Sequence, residues 1–146
     1  MLITGGSGDS YVEVKIGQGN LTYGEKRQID LVKSRGKLDT VRENEDEGME
    51  VAFSFMWEFL KSDGAELKTI EDALKNRAGL VSASADISAP FCVNIQITHN
   101  PQCSGVVNEF IILPQFHYLQ LAHSMQDSTI ACNGICNARE AIITRT

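Results

Sequence analysis

Between Gly48 and Leu60 the chain reads GMEVAFSFMWEFL. Met49, Val51, Phe53, Phe55, Trp57 and Phe59 take the odd positions, and Glu50, Ser54 and Glu58 take even ones, with Ala52 and Met56 between them. A period of two is the pattern of a half-buried β-strand, not of a helix. It puts large apolar side chains on one face of a single strand. Burying one such side chain is worth about 1.5–3 kcal/mol, so this strand alone can anchor a small core. An acidic run, Glu43-Asn44-Glu45-Asp46-Glu47, feeds into it. A core strand entered through a long charged connection predicts a scaffold that uses the connection for contacts.

Elsewhere the pattern is weaker. Met1 to Ser10 is rich in Gly and Ser and reads as a flexible arm. Tyr11 to Ile16 alternates, with Val12, Val14 and Ile16 on one face. Gly17 to Asn20 is a turn. Leu21 to Tyr23 and Gln28 to Lys33 read as further strand segments, Ile29 and Leu31 sharing a face that extends to Lys33. Ser34-Arg35-Gly36 closes that segment. Lys37 to Glu47 then reads as a polar loop containing Leu38 and Val41, so that 33–48 forms one long connection.

One helix is predicted over about 69–78. Thr69 suits the N-cap, with Asp72 three residues on. Ile70, Ala73, Leu74 and Arg77 line one stripe, Lys75 and Arg77 suit the C-terminal dipole, and Gly79 suits the C′ position. At about 13 Å the helix is too short to stand alone and must pack on a sheet. Ala78 to Pro90 reads as a connection of small residues.

The last third is dense in strands. Phe91, Val93, Ile95 and Ile97 alternate with polar or small residues, and His99-Asn100-Pro101 ends that run. Val106 to Leu113 and Phe116 to His123 follow, then a turn at Asp127-Ser128. Asn133-Gly134 is a two-residue hairpin signal between Thr129–Cys132 and Ile135–Ile143. Ser128 to Cys136 reads equally well as one bent strand. The sum is roughly seven to nine strands and one helix. The predicted fold is a mainly β single domain over 1–146, a β-sandwich or barrel of antiparallel sheets with one flanking helix. Its predicted core holds Val51, Phe53, Phe55, Trp57, Phe59, Leu74, Val93 and Ile95.

The chain has 146 residues, the size of one domain, with a net charge of −6. Its pI is near 5.0. That balance argues against gripping phosphate backbones, which takes clustered Lys and Arg. It suits a surface that nucleic acid must slide past. No secretory leader is read at the start, and no apolar run approaches the roughly 20 residues of a membrane span. A cytosolic origin is expected, in which Cys92, Cys103, Cys132 and Cys136 are thiols in or near the core.

Candidate chemistry is sparse. Gly17-Gln18-Gly19 lacks the third glycine and the helix of a dinucleotide site. Gly5-Gly6-Ser7-Gly8 lacks the context of a nucleophile elbow. Glu43 to Glu47 is a solvated charge run rather than a catalytic carboxylate pair. The four cysteines with His99, His117 and His123 could supply tetrahedral zinc ligands, but no Cys-x-x-Cys pair occurs, and free thiols with surface or hydrogen-bonded histidines are the plainer reading. Nothing marks a thiolate-stabilising helix start for a Cys/His nucleophile. No catalytic, cofactor-binding or metal-binding residues are assigned.

The segment Arg35-Gly-Lys-Leu-Asp-Thr-Val-Arg-Glu-Asn-Glu-Asp-Glu, running into Val51-Ala-Phe-Ser-Phe-Met-Trp-Glu-Phe, resembles the tail tube proteins of long-tailed bacteriophages. So do Thr69-Ile-Glu-Asp-Ala-Leu-Lys-Asn-Arg, Asn108-Glu-Phe-Ile-Ile-Leu-Pro-Gln-Phe and Thr129-Ile-Ala-Cys-Asn-Gly-Ile-Cys-Asn. The resemblance runs from about Gly19 to Asn137, in the same order. It implies a sandwich-like subunit with one helix, closing into hexameric rings that stack head to tail into a hollow tube. Sheets of neighbours would join into one inner barrel, which removes exposed edges. The 33–48 connection would reach the neighbouring ring, placing Arg35, Leu38, Asp39, Val41, Arg42, Glu43, Glu45, Asp46 and Glu47 at subunit and ring contacts. The partners implied are the chain itself, tail terminator and tail-tip or baseplate proteins, and double-stranded DNA in transit, without a membrane. The place implied is the virion tail, with assembly in the host cytoplasm. A terminator or tip protein of the same fold would form single rings only. Two readings of other classes stand beside this one: a monomeric β-barrel holding an apolar ligand in the Phe53–Phe59 core, and a zinc-stabilised β-domain.

Overall fold

The computed structural model describes residues 1–6, 11–13, 20–56, 60–61, 67–68, 70–77, 79–101 and 103–146. Among these described residues twelve strands and one helix follow in chain order: β1 Leu2–Thr4, β2 Tyr11–Glu13, β3 Thr22–Gly24, β4 Ile29–Ser34, β5 Lys37–Glu43, β6 Met49–Met56, β7 Leu60–Lys61, β8 Leu67–Lys68, α1 Ile70–Leu74, β9 Val93–His99, β10 Glu109–Ser124, β11 Thr129–Cys136 and β12 Ile142–Arg145. The fold is mainly β, a curled antiparallel sheet with one short helix. The sheet runs β2-β1-β9-β10-β11-β6-β3, and β12 adds to β10. The pairs β4-β5 and β7-β8 form separate two-stranded sheets.

The alternation of β6 is realised. Met49, Val51, Phe53 and Phe55 are buried, while Glu50 and Met56 are exposed. Opposite them, Ile130, Cys132, Gly134 and Cys136 of β11 point the same way. Ile3, Val93, Ile95, Leu113 and Phe116 complete the lining, and Ile70, Ala73, Leu74 and Leu80 cover it. The Phe53 ring sits 5.8 Å from Phe55 and 5.9 Å from Phe116, both tilted, a favourable aromatic geometry. Trp57 and Phe59, expected in the same core, lie outside the described residues, as do Val14, Ile16 and the Thr69 N-cap.

Four expectations are corrected, and one open alternative is decided. The arm at 1–10 is not wholly flexible: β1 lies between β2 and β9, with Ile3 fully buried opposite Ile95. Gly5 and Gly6, read as flexibility, instead let the backbone of Val81 and Ser82 approach; a Cβ on either would meet those carbonyl oxygens closer than 3.0 Å.

The helix is only Ile70–Leu74. Asn76, at φ 59°, takes the left-handed C′ position expected of Gly79, and the Arg77 amide donates to the Asp72 carbonyl at 2.7 Å, a Schellman-type closure. Arg77 is therefore exposed rather than on the buried stripe.

Pro114 does not separate two strands. Pro114 and Gln115 form a bulge within β10, where Leu113 pairs Ile95 and Phe116 pairs Val93. Gln115 has φ 49°, and its amide donates to the Asn94 side-chain oxygen at 3.1 Å. Of the two readings of 128–136 the single strand is the one present: Asn133-Gly134 lies in the middle of β11, and the turn is at Asp127-Ser128 as expected. Finally, the 33–48 connection is not simply a loop, since it contains the end of β4 and all of β5, Lys37–Glu43.

Candidate functional site

The β4-β5 hairpin is a two-stranded sheet separate from the main sheet. Every residue of β5 and all of β4 except Val32 is exposed. Ser34 pairs Lys37, leaving Arg35 (φ 52°) and Gly36 (φ 78°) as a two-residue turn with both angles positive. That is the turn whose twist matches a hairpin, and a glycine at its second position suits it.

The register makes the hairpin amphipathic. Leu31 faces Val41, and Ile29 faces Glu43. Between Val32 and Lys33 the register shifts, so that Lys33 faces Leu38 and Asp39 is the extra residue. Directly opposed residues share a face, and the face repeats every second residue. The shift thus brings Leu38 onto the side that already holds Ile29, Leu31 and Val41. These four side chains are 48–68% exposed. Lys33 and Glu43 share that side, and Asp30, Val32, Thr40 and Arg42 take the other.

The charges are partly segregated along the hairpin, with Asp39 beside the basic tip and Arg42 beside the acidic root. Lys33, Arg35 and Lys37 gather at the tip, and none makes an ion pair with another described residue. Glu43, Glu45, Asp46 and Glu47 gather at the root. There Arg27 Nε lies 3.2 Å from Glu43 Oε1. Arg139 bridges Glu43 and Asp46, the latter at 3.3 Å. Gln28 donates to Glu47 at 2.6 Å, and the Asn44 amide donates to the Gln28 carbonyl at 2.9 Å. The turn after β11 thus braces the hairpin root. Arg27 and Arg139 between them engage Glu43 and Asp46, and Glu45 makes no ion pair with a described residue.

The nine contact residues expected from the sequence all lie on this hairpin or its root: Arg35 in the turn, Leu38, Asp39, Val41, Arg42 and Glu43 on β5, and Glu45, Asp46 and Glu47 after it. Sequence reasoning missed Ile29 and Leu31 as part of the same surface, and missed Arg27 and Arg139 as its brace. Ile29 and Leu31 were visible as a shared face. Arg139 is some ninety residues from its partners, and nothing local marks it.

The residues proposed for zinc stand apart. Cys132 and Cys136 are buried among apolar side chains, and burial pushes both thiols up to about 12, which keeps them protonated. Cys92 is buried against the Ser82 hydroxyl at 3.8 Å, and Cys103 is exposed. Among the described residues no three His, Cys, Asp or Glu side chains converge as a metal site would require. His123 instead meets Glu71 of α1 at 3.3 Å. The Phe53–Phe55 region is filled by its own rings. An open groove of about 460 Å³ lies between Tyr23, Ala52, Leu119 and Asn133.

Among the described residues no helix is long and apolar enough to cross a membrane. Comparison with protein-family models, with curated proteins and with solved structures finds no match.

Proposed function

We propose that the chain is a structural, self-assembling subunit of a phage-type tail tube, closing into hexameric rings that stack into a conduit for double-stranded DNA. The observation that carries this reading is the β4-β5 hairpin. Two-stranded hairpins are marginal in water by themselves. This one nevertheless holds Ile29, Leu31, Leu38 and Val41 on one open face. Such an amphipathic ribbon gains stability when that face lies against another surface.

Two further features support the reading. Among the described residues the sheet ends on β2 and β3, where neighbours in a ring could continue the ladder. The net charge of −6 favours passage of a polyanion over its retention.

Negative-stain electron microscopy of the concentrated protein should show six-fold rings or tubes. Leu31→Asp, on an exposed side chain, should keep the circular dichroism and thermal midpoint of the parent while losing those assemblies. Monodisperse single subunits at high concentration would overturn the proposal. Rings that never stack would instead fit a terminator or tip protein of the same fold.

A further inference from the structure

We infer that the β4-β5 hairpin is a hinged arm and that Arg139 is its catch, a positioning residue that holds the arm at one angle to the sheet. The hinge stands on the contacts of this chain alone, and its consequence for assembly rests on the function proposed above.

Both legs of the hairpin are anchored where they leave the body. On one leg the Glu25 carboxylate accepts a hydrogen bond from the Ala141 amide at 2.9 Å, and Lys26 pairs with Glu50 of β6 at 3.1 Å. On the other, the Met49 amide donates to the Ala138 carbonyl at 3.1 Å. Beside it Gly48 lies so close to the Cys136 carbonyl that a Cβ there would meet the oxygen at 2.9 Å. Past these anchors the hairpin bonds mostly to itself. Arg27 pairs with Glu43, Gln28 donates to Glu47, and Asn44 bonds Gln28 and Asp30, all within 27–47. Among the described residues, Arg139 alone makes an ion pair or hydrogen bond to that segment from outside it, through Glu43 and Asp46. The anchors therefore mark the pivot, and beyond the pivot Arg139 fixes the angle.

An ion-pair catch is strong enough to bias the angle and weak enough to open. The Arg139 side chain is 31% exposed and its Asp46 partner 75%, and pairs that near water are screened by salt. An arm already held at one angle has less freedom to lose when it meets a neighbouring copy. The catch thus pre-organises the open face of Ile29, Leu31, Leu38 and Val41.

The test places spin labels on Lys37→Cys near the tip and on Gln120→Cys of β10, in a full-length Cys103→Ser background whose remaining cysteines are buried. Labelled protein is diluted in unlabelled protein, so that pulsed electron spin resonance reads distances within one subunit. The parent should give one narrow distance. Arg139→Gln should widen the distribution at least about twofold and leave the thermal midpoint where ordinary surface substitutions leave it. Glu43→Gln with Asp46→Asn should widen it equally, and combining all three should add nothing further, because the residues act through one contact. Raising salt from about 0.1 M to about 1 M should widen the parent's distribution in the same way, and this decides the matter if a variant fails to fold.

A parent distribution that is already broad, or that neither Arg139→Gln nor salt widens, would overturn the inference and leave the tube proposal standing. A narrow distribution that both widen, in a protein that never forms rings or tubes, would uphold the catch and overturn the tube proposal.

Discussion

At the scale of single residues, Gly134 shows how a local signal can mislead. Asn133-Gly134 is a hairpin pair by local chemistry, yet here the glycine sits mid-strand. A Cβ would meet the Phe116 ring and the His117 carbonyl oxygen closer than 3.0 Å. The residue is needed for close packing, and no neighbour in sequence reveals it. Gly134→Ala should therefore destabilise by about 1–3 kcal/mol, read as a lower urea midpoint with an unchanged slope.

Glu71 carries a pH-dependent contribution. Hydrogen bonds from Lys75, and then from His123, hold its carboxyl below the usual value of 4.5. A depressed carboxylate pKa adds stability that is present above 4.5 and lost as pH falls through the folded-state value. Glu71→Gln should therefore be less stable than the parent at pH 7. The gap between their urea midpoints should narrow below about pH 4.5.

At the scale of elements, what was legible was periodicity, and what was not was anything that broke it. β6 and β9 alternate cleanly, so their strands and their buried Val51, Phe53, Phe55, Val93 and Ile95 could be read directly. β5 could not. Leu38 and Val41 are three apart, which fits no strand face until the bulge at Asp39 shifts one of them. The same reason hid the continuity of β10, where Pro114-Gln115 adds a residue to the strand. The α1 terminus was misplaced because Asn76 adopts the left-handed conformation that glycine more often takes.

β1 was missed because three residues are too few to display a period. Its place in the sheet still makes a firm prediction. Ile3 is fully buried between strands, so Ile3→Ala should cost about 2–5 kcal/mol, measured by chemical denaturation. A mobile arm would give no measurable change.

At the scale of the whole molecule, the described chain divides its labour. The curled sheet buries one set of side chains in a continuous core, and the hairpin holds another set out of it. The proposed conduit draws on both. In that proposal the sheet would supply rigidity and the ribbon outside it would supply association. The brace formed by Arg27 and Arg139 keeps the two parts in register, linking the hairpin root to the turn after β11.

The order of strands in the sheet also sets a clock. Leu2 pairs Gln96, Thr22 pairs Ala52, and Val51 pairs Gly134. Ladders between such distant stretches must close large loops before any bond rewards them, which places folding in the milliseconds-to-seconds range typical of non-local β topologies. Through that interval the oily run Met49–Met56 waits without its neighbours on either side. Crowded, newly made chains would then compete for it, so slower, cooler production should raise the soluble yield.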